Sequence, residues 1–366
     1  MTDHFINGDF ACAEGAIKAG CRFFAGYPIT PATEIAERMA LRLPQVDGDY
    51  VQMEDEIGSI MAVLGASWGG KKAMTATSGP GFSLMQESIG FAAMTETPCV
   101  IVDVQRAGPS TGLPTLVAQG DIIQAKHGSH GDYPMIALAP LDAQEMFDMT
   151  IKAFNLSERF RTPIVILSDE MCGHVTSRVR IPEMVETVER KEPGGKDYRP
   201  FRADGDLVPP MACAGNGYRV HMTGLTHNEK GYPVTSVEVQ RELVERLMKK
   251  IEDRRVYEVE TTYLDDSDIG VVAYGSEAGS AMRAVKLARE QGIKAALIRP
   301  KTIWPFNDEA MKEITKDLKR LIVDELNMGQ LYLEFARVFR GAELLGSAGG
   351  TLHRPEEILR AMEANP

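Results

Sequence analysis

The apolar positions of the first half fall into short runs separated by stretches of helical period. A helix is expected over 11–20, followed by a strand Phe23-Phe24-Ala25 that stops at Gly26 and Pro28. A second unit opens with a strand over 50–53. Its helix places Ile57, Ile60, Met61, Leu64 and Trp68 at helical spacing before Gly69-Gly70, which predicts an amphipathic, buried face. Further apolar runs at 73–77, 100–104, 135–139 and 164–167 alternate with helical stretches. Such alternation means crossover connections, and so a parallel sheet flanked by helices. Between about 183 and 255 the periodicity fades, with turn signals at Pro193-Gly194-Gly195, Pro209-Pro210 and Gly231-Tyr232-Pro233. This part reads as an irregular connector, not disorder, that closes in a charged helix over 237–255. Alternation then resumes with strands at 269–274, 295–298 and 321–323 and a helix after Gly275. The expected organisation is an α/β domain over 1–185, a connector over 186–262 and a smaller α/β domain over 263–366.

Composition narrows the partners more than the fold. A chain of 366 residues can build two cores, and 44% apolar with 25% charged residues is the balance of an ordinary globular protein. The formal net charge of −12 disfavours nucleic acid, whose binding rests on cations meeting phosphates. It leaves room for a small anionic substrate beside a locally placed cation. The first ten residues carry Asp3, Asn7 and Asp9 and lack the basic and apolar regions of a signal peptide. No stretch approaches the roughly 20 apolar residues that span a bilayer, so a cytoplasmic protein without membrane contact is expected. Five scattered cysteines without a CxxC pair suit reduced thiols and predict no iron–sulfur cluster in this chain.

Candidate chemistry lies where open α/β sheets place ligands, in loops after strands. Tyr27-Pro28-Ile29-Thr30-Pro31 is a stiff loop that aims one hydroxyl, although alone it is better explained as a turn starting a helix at Ala32. In Gln52-Met53-Glu54-Asp55-Glu56 the macrodipole accounts for acids at a helix start. Glu56 differs because it opens the apolar face, where a carboxyl has a raised pKa and can share a proton with a ring nitrogen. Thr77-Ser78-Gly79-Pro80-Gly81 lets backbone approach a ligand but lacks the lysine of a Walker loop and the third glycine of a dinucleotide fingerprint. No GxSxG elbow occurs. Arg106, in the Gly-rich loop after 100–104, can grip a carboxylate through its planar fork, and Lys126, His127 and His130 add positive character nearby.

YPITP, QMEDEIG, TSGPGFSLM and QRAGPSTGLPT, in this order and spacing, together resemble the α subunit of 2-oxoacid:ferredoxin oxidoreductases. HGDYP at 130–134, TGLTHNEKGYP at 223–233 and the last domain extend the resemblance over nearly the whole chain. It implies a pyrimidine-binding thiamine diphosphate domain followed by a transketolase C-terminal-like domain. It implies oxidative decarboxylation of a 2-oxoacid, with the acyl group passed to coenzyme A and electrons to ferredoxin. Glu56 matches the glutamate that hydrogen-bonds the aminopyrimidine ring, Thr30 and Arg106 match the residues that hold the substrate carboxylate, and Pro28, Ile29 and Ser78 fall at cofactor-binding positions. Thiamine diphosphate would be shared with a β subunit that carries Mg²⁺ and a [4Fe–4S] cluster, since the GDG…N motif and a cysteine cluster are missing here. An (αβ)₂ assembly is implied, and separate γ and ferredoxin-like δ subunits stay open because the chain starts almost at its first helix. AKHGSHGDYP is more similar to the 2-oxoglutarate group than to the branched-chain 2-oxoacid group, with Lys126 or His127 as nominees for a second carboxylate. A degenerate, non-catalytic scaffold is the competing reading from another class, against which Glu56, Thr30 and Arg106 together speak.

Overall fold

A computed structural model describes residues 2–195, 197–253 and 255–364. The chain opens with β1 (Thr2–Asn7) and α1 (Gly8–Lys18), where the Asn7 side chain caps the helix by accepting the Phe10 N–H at 2.8 Å. There follow β2 (Cys21–Gly26), α2 (Thr33–Arg42), β3 (Asp49–Gln52), α3 (Glu56–Trp68), β4 (Lys72–Thr77), α4 (Gly79–Met94), β5 (Cys99–Ala107) and β6 (Leu113–Val117). Next come α5 (Ile122–His127), β7 (Ile136–Leu138), α6 (Ala143–Phe160), β8 (Pro163–Asp169), α7 (Glu170–His174) and β9 (Thr176–Ile181). After a long irregular stretch the chain forms α8 (Val237–Lys249), β10 (Val259–Thr262), β11 (Ile269–Val272), α9 (Glu277–Glu290), β12 (Ala295–Pro300) and β13 (Thr302–Trp304). It ends with α10 (Asp308–Thr315), β14 (Arg320–Glu325), α11 (Tyr332–Val338), β15 (Glu343–Gly346) and α12 (Pro355–Glu363).

The larger sheet runs β13-β7-β8-β5-β4-β2-β3, with β6 paired to β5, and every ladder from β7 to β3 is parallel. Its strands read as continuous apolar runs because both faces are covered. Val100, Val102 and Val104 join the core under α1, α2 and α6, whereas Cys99 and Ile101 point to the core with Ile60, Phe82 and Met85. Small residues let α1 approach α6 closely: a Cβ at Gly15 would stand 2.6 Å from the Phe147 carbonyl oxygen. The smaller sheet runs β10-β12-β11-β14-β15, parallel except for β10.

The two sheets are locked together. β13 pairs antiparallel with β7, and buried Trp304 donates from Nε1 to the Ile122 carbonyl at 2.8 Å. Asp169 accepts from the backbone N–H and hydroxyl of Ser276 at 3.1 and 2.7 Å, while Arg299 forks onto Glu145 at 2.7 and 2.8 Å. The connector is irregular but anchored. The Arg161 guanidinium, fully buried, donates to the carbonyls of Glu96, Pro200, Pro209 and Pro210. Glu96 also takes Lys250 at 2.8 Å and the fork of Arg246.

Several expectations change. In α3 the buried stripe is Glu56, Ile60, Val63, Leu64 and Trp68, whereas Ile57 and Met61 are 48% and 42% exposed. They sit one turn apart on a flank left uncovered among the described residues, so apolar spacing alone overcounts the core. The helix expected to 255 stops at Lys249, beyond which the backbone turns as Lys250 enters the Glu96 pocket. The β1–β9 pair was not foreseen, because β1 is mostly exposed and carries little apolar period.

Candidate active site

Four adjacent parallel strands deliver the singled-out residues to one edge. In the order β5-β4-β2-β3, their carboxyl ends lead to Arg106, Ser78, Thr30 and Glu56 respectively. The crossovers enforce this: each strand runs the same way, so each following loop emerges on the same side.

Glu56 is the first residue of α3, held by the Asp55 cap, whose side chain accepts the Gly58 N–H at 2.7 Å. The Glu56 side chain is buried, in a space that exists because residue 81 has no Cβ. A Cβ there would overlap Thr77 Oγ1 and Glu56 Oε1 and stand 2.7 Å from Glu56 Cγ. The hydroxyls of Thr77 and Ser78 are buried beside this carboxyl's strand ends without a hydrogen-bond partner among the described residues. Unpaired buried hydroxyls are costly, so they mark where an external polar group belongs.

Arg106 donates from Nη1 to the Thr30 carbonyl oxygen at 2.6 Å, tying the β5 end to the Tyr27–Pro31 loop through Thr30 backbone rather than its hydroxyl. Its Nε is buried without a partner, so part of the guanidinium fork is free for an anion. Burial lowers the Arg106 pKa, while Asp103, Asp121 and Glu56 act the other way, which places Glu56 within electrostatic reach of this cation. Arg106, Gly79, Pro80 and Asp121 line a cleft of about 570 Å³ whose far wall is Asn327 and Met328, after β14. Gln119 holds that wall, donating to the Tyr274 carbonyl at 2.7 Å and accepting the Leu326 N–H at 3.0 Å.

Lys126 and His127 do not join this cleft; the Lys126 ammonium lies 4.4 Å from the Trp304 ring centre and His127 stands edge-on to the same ring. His130 is exposed and also apart from the cleft lining. Sequence reasoning missed Asp103 and Asp121. Burial, then the facing Asp121, pushes Asp103 well above the usual carboxylate range, and burial raises Asp121 too, since both effects disfavour the charged form. The available signal was an acidic residue inside the apolar run Cys99–Ala107.

Residues 14–246 match the family model for the thiamine-diphosphate-binding part of pyruvate flavodoxin/ferredoxin oxidoreductases, and 267–358 match pyruvate:ferredoxin oxidoreductase core domain II. The chain is 53% identical over 368 residues to 2-oxoglutarate synthase subunit KorA of Methanocaldococcus jannaschii, covering 99% of this chain and 100% of that one. It is 36% identical to ketoisovalerate oxidoreductase subunit VorB of Methanothermobacter thermautotrophicus, covering 98% and 97%. Among solved structures it is similar to 2-oxoglutarate:ferredoxin oxidoreductase from Magnetococcus marinus with 2-oxoglutarate, coenzyme A and succinyl-CoA bound, with TM-score 0.93 and 37% identity. That match covers 99% of this chain and 65% of the other, so the chain spans about two thirds of the length of that neighbour.

Proposed function

The chain belongs to the 2-oxoacid:ferredoxin oxidoreductase family, and from that premise we propose that it is the α subunit of a 2-oxoglutarate:ferredoxin oxidoreductase. The reaction converts 2-oxoglutarate and coenzyme A to succinyl-CoA and CO₂, with electrons passed to ferredoxin. The observation that carries the reading is the meeting of Glu56, Thr30 and Arg106 at one sheet edge, in a chain aligned end to end with 2-oxoglutarate synthase subunits. The 53% identity to such a subunit against 36% to a ketoisovalerate subunit favours 2-oxoglutarate over branched-chain 2-oxoacids.

The residues fit a thiamine pyrimidine. Glu56 presents a buried carboxyl that can share a proton with a ring nitrogen, and the unpartnered hydroxyls of Thr77 and Ser78 offer polar contacts. Pro28 and Ile29 form the stiff loop against which the ring would pack. When bound, thiamine diphosphate supplies the nucleophilic carbon and electron sink that decarboxylation requires. Arg106 then orients the substrate carboxylate with its free Nε side, and Thr30 completes that grip.

A β subunit would bring the diphosphate site, Mg²⁺ and the [4Fe–4S] cluster in an (αβ)₂ assembly. Residues 1–185 would serve as the pyrimidine domain, 186–262 as the connector and 263–366 as the transketolase C-terminal-like domain. The test is turnover of purified αβ complex with Glu56→Gln: thiamine should stay bound while kcat falls roughly 10²-fold or more. A crippling Glu54→Gln with a silent Glu56→Gln would overturn the assignment.

A further inference from the structure

Beside the Pro31 end of the loop that carries Thr30, a second polar cluster takes no part in the chemistry above. His174 Nε2 lies 3.1 Å from the Pro31 carbonyl oxygen, 3.4 Å from Glu34 Oε2 and 3.9 Å from Asp9 Oδ2, and His174 Nδ1 lies 3.4 Å from Glu170 Oε1. Asp9 is 0% exposed, and among the described residues both its oxygens lack a hydrogen-bond partner. Its pocket is built for the carboxylate, since a Cβ at Gly173 would stand 2.7 Å from Asp9 Oδ1. Among the described residues no lysine or arginine pairs with Asp9, Glu34 or Glu170. Three carboxylates therefore surround one imidazole, and the most buried of them has nothing to meet.

A buried carboxyl is ordinarily hydrogen-bonded, paired, neutralised by a proton or bound to a metal. Here the first remedy is absent among the described residues, and the nearest basic group is the His174 imidazole, 3.9 Å away. Ligand atoms about 2.1 Å from a shared ion stand roughly 3.0–3.8 Å from one another, depending on the angle between them. Asp9, Glu34 and His174 each offer an atom, all within 4.8 Å of one another. A ligating histidine usually gives its other ring N–H to a carboxylate, the position Glu170 occupies.

We propose that Asp9, Glu34 and His174 Nε2 form a divalent-metal site, with the Pro31 carbonyl oxygen as a further ligand and Glu170 orienting the ring. One nitrogen among oxygens selects an ion of the Mn²⁺ to Zn²⁺ range over Ca²⁺. The ion links α1, α2 and α7 to the Thr30 loop, and its existence does not depend on which 2-oxoacid is turned over.

The test uses the full chain in complex with its partner subunit, stripped of metal and thiamine. Mn²⁺ is titrated and free Mn²⁺ is read by its EPR signal, with Zn²⁺ as competitor. Beyond any Mn²⁺ taken by the partner subunit's Mg²⁺ site, the wild type should bind one Mn²⁺ per α chain that Zn²⁺ displaces, and Asp9→Asn, Glu34→Gln and His174→Ala should each weaken that binding at least tenfold. Glu34 is partly exposed, so Glu34→Gln reads the site even where Asp9→Asn disturbs folding. Equal Mn²⁺ stoichiometry and affinity in wild type, Glu34→Gln and His174→Ala overturns the proposal, as does a wild-type complex that takes up neither ion.

Discussion

Gly81→Ala is a one-methyl perturbation aimed at the Glu56 carboxyl. The new Cβ would overlap Glu56 Oε1 and Thr77 Oγ1 and press on Glu56 Cγ at 2.7 Å. None of these atoms is backbone, so the packing relaxes by turning the Glu56 side chain, and overpacking of this kind costs about 1–3 kcal/mol of stability. Turning the carboxyl away from a ring nitrogen removes an acid/base contribution worth about 10²–10⁴-fold in rate, roughly 3–5 kcal/mol in the barrier. Activity should therefore fall much further than stability. The assay compares Gly81→Ala, Glu56→Gln and the double variant in the αβ complex, by kcat on 2-oxoglutarate, thiamine content and thermal midpoint. Both substitutions act through one carboxyl, so the double variant should be little worse than either single one. Retention of wild-type turnover by Gly81→Ala, or losses that multiply in the double variant, would refute the reasoning.

Arg106→Ala should lower kcat/KM for 2-oxoglutarate and for a branched-chain 2-oxoacid alike, by about 2–5 kcal/mol for a desolvated charge pair, and leave thiamine binding nearly unchanged. Arg106→Lys should keep the charge but lose the fork, with an intermediate loss on the same substrate panel. Glu96→Gln leaves buried Lys250 and half-buried Arg246 without their shared anion, next to the buried guanidinium of Arg161, and should cost about 3–5 kcal/mol in denaturant unfolding. Burial pushes Glu96 up, but Lys250 and Arg246 outweigh it and hold the group at about 2, below its ordinary 4.5. This stabilisation should be complete above about pH 4.5 and be lost as pH falls towards 2, a slope that Glu96→Gln removes. Purified alone, the chain should reduce no dye and should self-associate in sedimentation, since Ile57, Met61, Leu84 and Leu333 are exposed.

The sheet was legible because its strands are buried on both faces and stand out as unbroken apolar runs, as at Cys99–Ala107 and Pro163–Asp169. Glu56 was legible because a helix with a buried stripe fixes the direction of its first residue. The space that admits its carboxyl was not, because Gly81 and Thr77 reach it from another strand end and no local pattern reports that approach. Ile57 and Met61 share the helical spacing of the core residues yet face outward, since periodicity marks apolar faces without saying which chain covers them. β13 crossing into the larger sheet depends on tertiary pairing with β7, which three residues of sequence cannot signal. The cleft wall at Asn327 was hidden for the same reason, since its position rests on bonds to Gln119, some 200 residues away.

The most direct measurement is made on the complex purified with its native partner subunit: turnover on 2-oxoglutarate and on 2-oxoisovalerate, with coenzyme A and ferredoxin, alongside thiamine and iron assays. The account predicts thiamine-bearing, iron-containing complex that forms succinyl-CoA and reduces ferredoxin only when coenzyme A is present, with kcat/KM higher for 2-oxoglutarate. A complex without thiamine-dependent turnover, or one that prefers 2-oxoisovalerate, would contradict it.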